Sequence, residues 1–280
     1  MKGISARVAP WALLGVLALG GISCAGPSTD VAWDEHDPAN TARLDHGEWQ
    51  ALLDAYLITD DPSGVTLVDY AKLRANTADR ARLAGYIDYL QGLDPRQYAK
   101  DVQMAYWINL YNAVTLRVVV DEYPVASIKD IHEGLIPGTG PWRDIHASVA
   151  GHPLTLDNIE HDILRPIWRD ARIHYGVNCA SIGCPNLAPE PYTAENLERL
   201  LDQAARDYVN HPRGVTLRDQ ASAVVSSIYF WYQEDFGDSE AGVLEHLRKY
   251  AEGDLAERLR DFDGSLDHDY DWSLNAPDVP

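Results

Sequence analysis

The sequence predicts an α+β fold in a single domain, with helix clusters packed on a small, mostly antiparallel sheet. Three observations predict it. Apolar residues recur at helical spacing over much of the chain, short alternating runs lie between them, and the two do not alternate regularly as βαβ units require. The 280 residues are 46% apolar and 24% charged, the proportions of a packed globular chain.

The first 23 residues are set apart from that fold as a signal peptide. Lys2 and Arg7 precede an apolar run over 11–19, and that run is too short to span a hydrocarbon core of about 30 Å as a mature helix. Cys24 follows Gly21-Ile22-Ser23, where a bacterial lipobox places the cysteine that becomes the lipidated N-terminus; ordinary cleavage after Ala25 is the alternative. Residues 24–41 are polar, contain proline and show no period, so they read as a flexible spacer. The domain is expected over 42–276.

Within it, Trp49, Leu52, Leu53 and Tyr56 define one helix face, and Leu83, Ile87, Leu90 and Leu93 a second, stopped by Pro95. Tyr106, Leu110, Ala113, Val114 and Arg117 follow the helical period, and Val118-Val119-Val120 carries it into a buried region. Ile145, Ala147 and Val149 alternate as a strand running into Gly151, and 156–168 reads as a helix with Ile159, Ile163 and Ile167 on one face. Residues 172–178 form a β-rich run and read as a buried strand. Thr193 is an N-cap for a helix through Tyr208, 215–217 and 223–225 are short strands, and Val243, Leu244 and Leu247 mark a last helix.

The formal charge is −20, and loss of the signal's two basic residues deepens it. Such a balance argues against nucleic acid, which needs clustered Lys and Arg to neutralise phosphate, and against electrostatic docking on anionic lipid. Membrane attachment is therefore expected only through a lipid at Cys24. The partner is expected to be a small-molecule, peptide or protein substrate, and no cofactor is implied.

The chemistry gathers in Asn178-Cys179-Ala180-Ser181-Ile182-Gly183-Cys184-Pro185. Cys179 comes where a buried strand should end, followed by small, turn-forming residues, a setting that holds a nucleophile at a core edge near backbone N–H groups. Its thiolate would need a neighbour that lowers its pKa. From the residues alone, Cys179 and Cys184 also read as a disulfide, as packing residues, or as metal ligands with His161 and His174; no zinc spacing is present. His161 and His174 both flank the segment and are its candidate bases. Asn109 and Asn112, on a largely apolar helix, either pin a loop or donate to a substrate or oxyanion.

Several blocks together resemble the bacterial branch of the family called domain of unknown function 547. They are Tyr106-Trp107-Ile108-Asn109-Leu110-Tyr111-Asn112, Tyr123-Pro124-Val125-Ala126-Ser127-Ile128-Lys129-Asp130, Asp157-Asn158-Ile159-Glu160-His161-Asp162, the Cys segment itself, Ile228-Tyr229-Phe230-Trp231-Tyr232 and Tyr270-Asp271-Trp272-Ser273-Leu274-Asn275. The chain departs from the family at Tyr106, where Phe is usual, and at Asn186, where Pro is common. Plant relatives keep a Cys matching Cys179 and a Glu-His pair matching Glu160-His161 but often lack the match to Cys184, and some relatives are fused to glutaredoxin-like modules. The resemblance thus implies a reactive thiol at Cys179 partnered by His161, with Asn109 polarising the intermediate and Asp271 or Asn275 as orienting groups. It suggests a scaffold like that of cysteine peptidases or transglutaminases, acting on an amide or ester. A non-catalytic envelope module stapled by a Cys179–Cys184 disulfide is the other reading.

Overall fold

A tryptophan ties the start of the visible chain to the core. The computed structural model describes residues 31–132 and 138–277; the expected signal peptide and lipid-anchor Cys24 lie outside them. Residues 31–41 differ from the expected spacer. Trp33 is buried and meets Trp107 edge-on at 5.2 Å, and Gln103 Nε2 donates to the carbonyls of Trp33 and Glu35. One aromatic anchor holds this segment without any period for a sequence pattern to detect.

Helix α1 (Gly47–Tyr56) buries Trp49, Leu52, Leu53 and Tyr56, the face its spacing predicts. A two-residue pair, β1 (Leu57–Ile58) with β2 (Leu67–Val68), leads into the short α2 (Tyr70–Ala75). Next, α3 (Thr77–Gln91) starts where the Asn76 side chain accepts from two first-turn N–H groups. Helix α4 (Lys100–Glu122) is the axis of the fold and is buried on every face from Val102 to Leu116. All-round burial, not amphipathicity, explains its continuous apolar run. Among the described residues no helix is long and apolar enough to cross a membrane.

The hairpin of β3 (Ile145–Val149) and β4 (His152–Thr155) turns through Ala150 and Gly151, both at positive φ, as a two-residue primed turn requires. The helix expected over 156–168 is α-helical at Leu156 and Asp157, π-helical from Asn158 to Leu164 and α-helical again in α5 (Arg165–Trp168). The strand expected over 172–178 is instead a helical turn, α6 (Ile173–Gly176). Its Ile, Tyr and Val have strand propensity, but the turn is imposed by the Asp170 carboxylate, which accepts from the Arg172 N–H.

Helix α7 (Leu197–Val209) begins four residues after Thr193, although Thr193 and Asn196 do exchange reciprocal side-chain bonds. Beyond it, β5 (Val215–Leu217) pairs antiparallel with β6 (Ser222–Ser226), and α8 (Ile228–Trp231) follows. Helix α9 (Glu240–Tyr250) is not the last, since α10 (Gly253–Arg260) precedes β7 (Ser265–Asp269), which lies parallel to β6. The α+β class holds, and among the described residues the strands fall into three small separate sheets instead of the single one expected.

Two apolar cores result, one around α4 and one between α7, α9 and the β5–β6–β7 sheet. The turn α6 joins them: Ile173 and Val177 pack into the first and Tyr175 into the second. The functional segment follows directly after it.

Two buried imidazoles set an acid limit on this packing. His46 Nδ1 lies 2.7 Å from Tyr86 Oη, and His246 Nε2 lies 2.8 Å from Tyr175 Oη. Burial lowers each to about 4, so the folded state keeps them neutral while the unfolded chain protonates near 6.5. Stability is therefore unaffected above about pH 6.5 and is lost as pH falls toward 4, by on the order of 3 kcal/mol for each. Thermal melts should decline over that interval, and His46→Asn should make the decline shallower. A wild-type melting temperature that stays level from about pH 7 to about pH 4 would contradict this.

Candidate active site

The Cys segment is shaped by amides. Asn112, on α4, donates from Nδ2 to the Gly176 carbonyl at 2.9 Å and accepts from the Asn178 N–H at 2.8 Å. Asn178 in turn accepts from the Ala180 N–H at 2.9 Å and donates to the Pro185 carbonyl at 2.7 Å. Ala180 sits at φ 59°, a left-handed conformation that the Asn178 bond helps to impose. The tight turn leaves Cys179 partly open while Asn178 and Ala180 are buried.

The C-terminal block closes over this turn. Asn275 N–H donates to the Ala180 carbonyl, Ile182 N–H to Ser273 and Gly183 N–H to Asp271, with Ser181 bridging Leu274. A Cβ on Gly183 would lie 2.9 Å from the Asp271 backbone, so only glycine permits this approach. Asn275 is buried, with its amide oxygen accepting from Tyr70 Oη at 2.6 Å, which makes it a clamp for the segment. Asp271 accepts from the Ser273 N–H.

This packing brings Tyr270 to the sulfur. Cys179 Sγ lies 3.0 Å from Tyr270 Oη and 3.3 Å from Ser181 Oγ, and the two hydroxyls are 2.9 Å apart. Cys184 is buried, and its sulfur accepts from the Cys179 N–H at 3.0 Å. Both thiols are free. The Cys179 thiol is held below its ordinary value, first by a hydrogen bond from the Cys184 thiol and further by the Ser181 and Tyr270 hydroxyls, against the opposing effect of burial. Burial pushes Cys184 well above the ordinary value. Among the described residues the sulfur's hydrogen-bond partners are thiol and hydroxyl groups, not an imidazole.

The expected oxyanion donors need correction. The N–H groups of 178, 179, 180, 182, 183 and 184 are all bonded within the protein. Asn109 is spent as well: Nδ2 donates to the Tyr192 carbonyl at 2.7 Å and Oδ1 accepts from the Tyr192 N–H at 3.0 Å. It pins a loop and is not brought to the thiol. The side-chain hydroxyls of Tyr270 and Ser181 stand beside the sulfur, where a developing negative charge would form.

The imidazoles belong to a charged network beside the sulfur. His174 is buried, with Nδ1 3.5 Å from Glu160 and Nε2 2.7 Å from Asp235, and stacks on Tyr232 at 4.3 Å. Burial disfavours its charge, but the two carboxylates raise its pKa above the ordinary value. Burial likewise disfavours ionised Asp235, yet His174 and Arg165 hold it down to about 2. Arg165 bonds Asp235, Glu234 and His161 Nδ1, the last at 3.2 Å. Because guanidinium only donates, His161 must accept at Nδ1 and carry its proton on Nε2, which lies 3.8 Å from Asp157. His161 thus presents an N–H at Nε2 as a hydrogen-bond donor.

Cys179, Cys184, His161, His174 and Glu160 all border one cavity of about 740 Å³. Its other side is aromatic: Trp231 stacks on Trp272 at 5.5 Å, and both contact Tyr270. Tyr270 and Asp235, which complete the site, carry no local signal in the sequence; Tyr270 sits in a block of the family resemblance. No group of three or more His, Cys, Asp or Glu among the described residues is placed to hold a metal ion.

Fold and site together define an α+β protein with an activated cysteine on a cavity wall. The model of a family described as a protein of unknown function, DUF547, matches residues 95–209, which supports placing the chain in that family. The match spans α4 and the Cys segment but ends before Asp235 and Tyr270. No curated protein and no solved structure matches the chain.

Tyr270→Phe or Ser181→Ala removes a donor to the thiolate, so each should raise the pH midpoint of Cys179 alkylation by iodoacetamide. Asn109→Ala should leave that midpoint in place and cost about 2–4 kcal/mol in denaturant melts, because it orphans a buried N–H and C=O. An unchanged midpoint in both hydroxyl variants would show that neither group stabilises the thiolate.

Proposed function

We propose that the chain is a thiol-dependent hydrolase or acyltransferase acting on an amide or ester, with Cys179 as nucleophile. The observation that carries the reading is a partly open sulfur bordering a large cavity and hydrogen-bonded by Cys184, Ser181 and Tyr270. Such donors stabilise the thiolate, the reactive species, without an imidazole ion pair.

Cys179 Sγ attacks the carbonyl carbon, forming a C–S bond and placing the π electrons on oxygen. The Tyr270 and Ser181 hydroxyls are close enough to the sulfur to turn toward that oxyanion. His161, neutral with its proton on Nε2, would become an imidazolate if it gave that proton up, so it donates a hydrogen bond to the departing amine or alcohol instead. As the C–N or C–O bond breaks, the proton lost in forming the thiolate reaches the leaving group through solvent, and a thioester remains on Cys179. Water, or another acceptor nucleophile, then attacks the thioester; the C–S bond breaks, and the nucleophile's proton passes through solvent to restore the Cys179 thiol. His174 does not touch the sulfur; clamped by Glu160 and Asp235, it positions the neighbouring helical turn.

The same proposal places the protein outside the cytoplasm, in the bacterial envelope, with Cys24 as lipid anchor. Lys2, Arg7, the apolar run over 11–19 and the small residues before Cys24 support this.

The test uses the purified, reduced chain and activated esters of varied acyl groups, with mass spectrometry of the trapped protein. A thioester on Cys179 is expected, absent from a Cys179→Ser variant that keeps the wild-type melting curve. His161→Ala should slow turnover by on the order of 10-fold through loss of its hydrogen bond to the leaving group and leave the pH midpoint of Cys179 alkylation close to wild type. The proposal fails if Cys179 reacts no faster than a free cysteine at about pH 6–7. Equal stability losses in Cys179→Ser and Cys184→Ser, with no adduct, would favour the stapled, non-catalytic module instead.

A further inference from the structure

We infer that Cys179 and Cys184 form a reversible dithiol–disulfide couple that reduces a hydroperoxide entering the same cavity, with Cys179 as the attacking and Cys184 as the resolving sulfur. This chemistry is separate from acyl transfer and draws on a different part of the geometry.

The first support is asymmetry. Both cysteines border the cavity, but Cys179 is partly open, whereas Cys184 is 3% exposed. An incoming oxidant therefore meets Cys179 first, and Cys184 is shielded from competing reaction. Cys179 also has the thiolate character that peroxide attack needs.

The second support is that the loop between them is already closed. Asn178, just before the first cysteine, donates to the carbonyl of Pro185, just after the second, at 2.7 Å. Within the loop, Cys184 N–H donates to Ser181 at 3.1 Å, and Cys179 N–H lies 3.0 Å from Cys184 Sγ. Bringing the sulfurs together thus costs little further loop entropy.

The third support is the pair of hydroxyls beside the attacking sulfur, Tyr270 at 3.0 Å and Ser181 at 3.3 Å. In the first step, Cys179 thiolate attacks one peroxide oxygen, so an S–O bond forms and the O–O bond breaks. The departing alkoxide takes a proton from the hydroxyl pair, which recovers it from solvent, and Cys179 is left as a sulfenic acid. In the second step, Cys184 sulfur attacks Cys179 sulfur. The S–S bond forms, the S–O bond breaks, and the Cys184 proton leaves with hydroxide as water. Two thiols and one hydroperoxide become a disulfide, an alcohol and water, and an external dithiol returns the pair to its reduced form.

The experiment exposes the reduced full chain to one equivalent of hydrogen peroxide, blocks remaining thiols in denaturant, and maps each cysteine by peptide mass spectrometry. The expected product is an internal Cys179–Cys184 disulfide that dithiothreitol reverses. In Cys184→Ser, checked for native circular dichroism, Cys179 should accumulate as a dimedone-reactive sulfenic acid. Oxidised wild-type protein should lose iodoacetamide labelling at Cys179 at least tenfold and regain it with dithiothreitol. The inference is overturned if Cys179 passes to sulfinic acid while Cys184 stays alkylatable, or if neither thiol reacts. Because the acyl-transfer test uses only reduced protein and reads a thioester, either proposal can fail while the other stands.

Discussion

The site depends on side-chain amides that take the place of backbone pairing. Asn109 and Asn112 lie one helical turn apart on α4, and each spends both amide functions on backbone groups of other segments. Asn109 fixes the backbone at Tyr192, and Asn112 fixes the chain on both sides of Val177. In effect the buried helix offers two short ladder rungs to chain that has no strand beside it. The groups these amides satisfy would otherwise be buried and unpaired, a cost of about 1–3 kcal/mol apiece. That penalty is why an all-round apolar helix carries asparagine at all.

A second constraint is electrostatic. His174 sits between Glu160 and Asp235, and Asp235 also holds Arg165, which reaches His161. One buried imidazole thus links the π-helical turn, α6 and the segment after α8. The π-helical winding matters because it inserts an extra residue into the turn. Both Glu160 and His161 border the cavity, but the buried Glu160 meets His174 while the adjacent His161 meets Arg165.

Much of this was legible in the sequence. The faces of α1 and α3 follow from apolar spacing, because burial against a core leaves that periodic trace, and the continuous apolar run of α4 marks its burial on all sides. The Cys segment also stands out, because small residues and glycine mark its close contacts. Other features leave no such trace. The α6 turn is written in strand-forming residues and is decided by Asp170, and Trp33 anchors a segment that looks like spacer. Tyr270 reaches Cys179 across 91 residues of chain, and nothing local to either announces the pairing. Asn109 shows the reverse error: a buried amide near a nucleophile suggests an oxyanion donor, yet its two bonds to Tyr192 leave it nothing to donate.

The arrangement around the sulfur has a consequence for how the thiolate is made. An imidazole partner stabilises a thiolate by its charge, and that help disappears once the imidazole deprotonates. Here the nearest donors are a thiol and two hydroxyls, which stay protonated well above neutral pH. Burial drives Tyr270 and Cys184 away from ionisation, so each remains a donor at the pH where Cys179 loses its proton. The same burial that makes Cys184 a poor nucleophile by itself makes it a durable hydrogen-bond donor to Cys179. Two cysteines five positions apart therefore differ in character through their surroundings alone, and the closed loop between them preserves the difference.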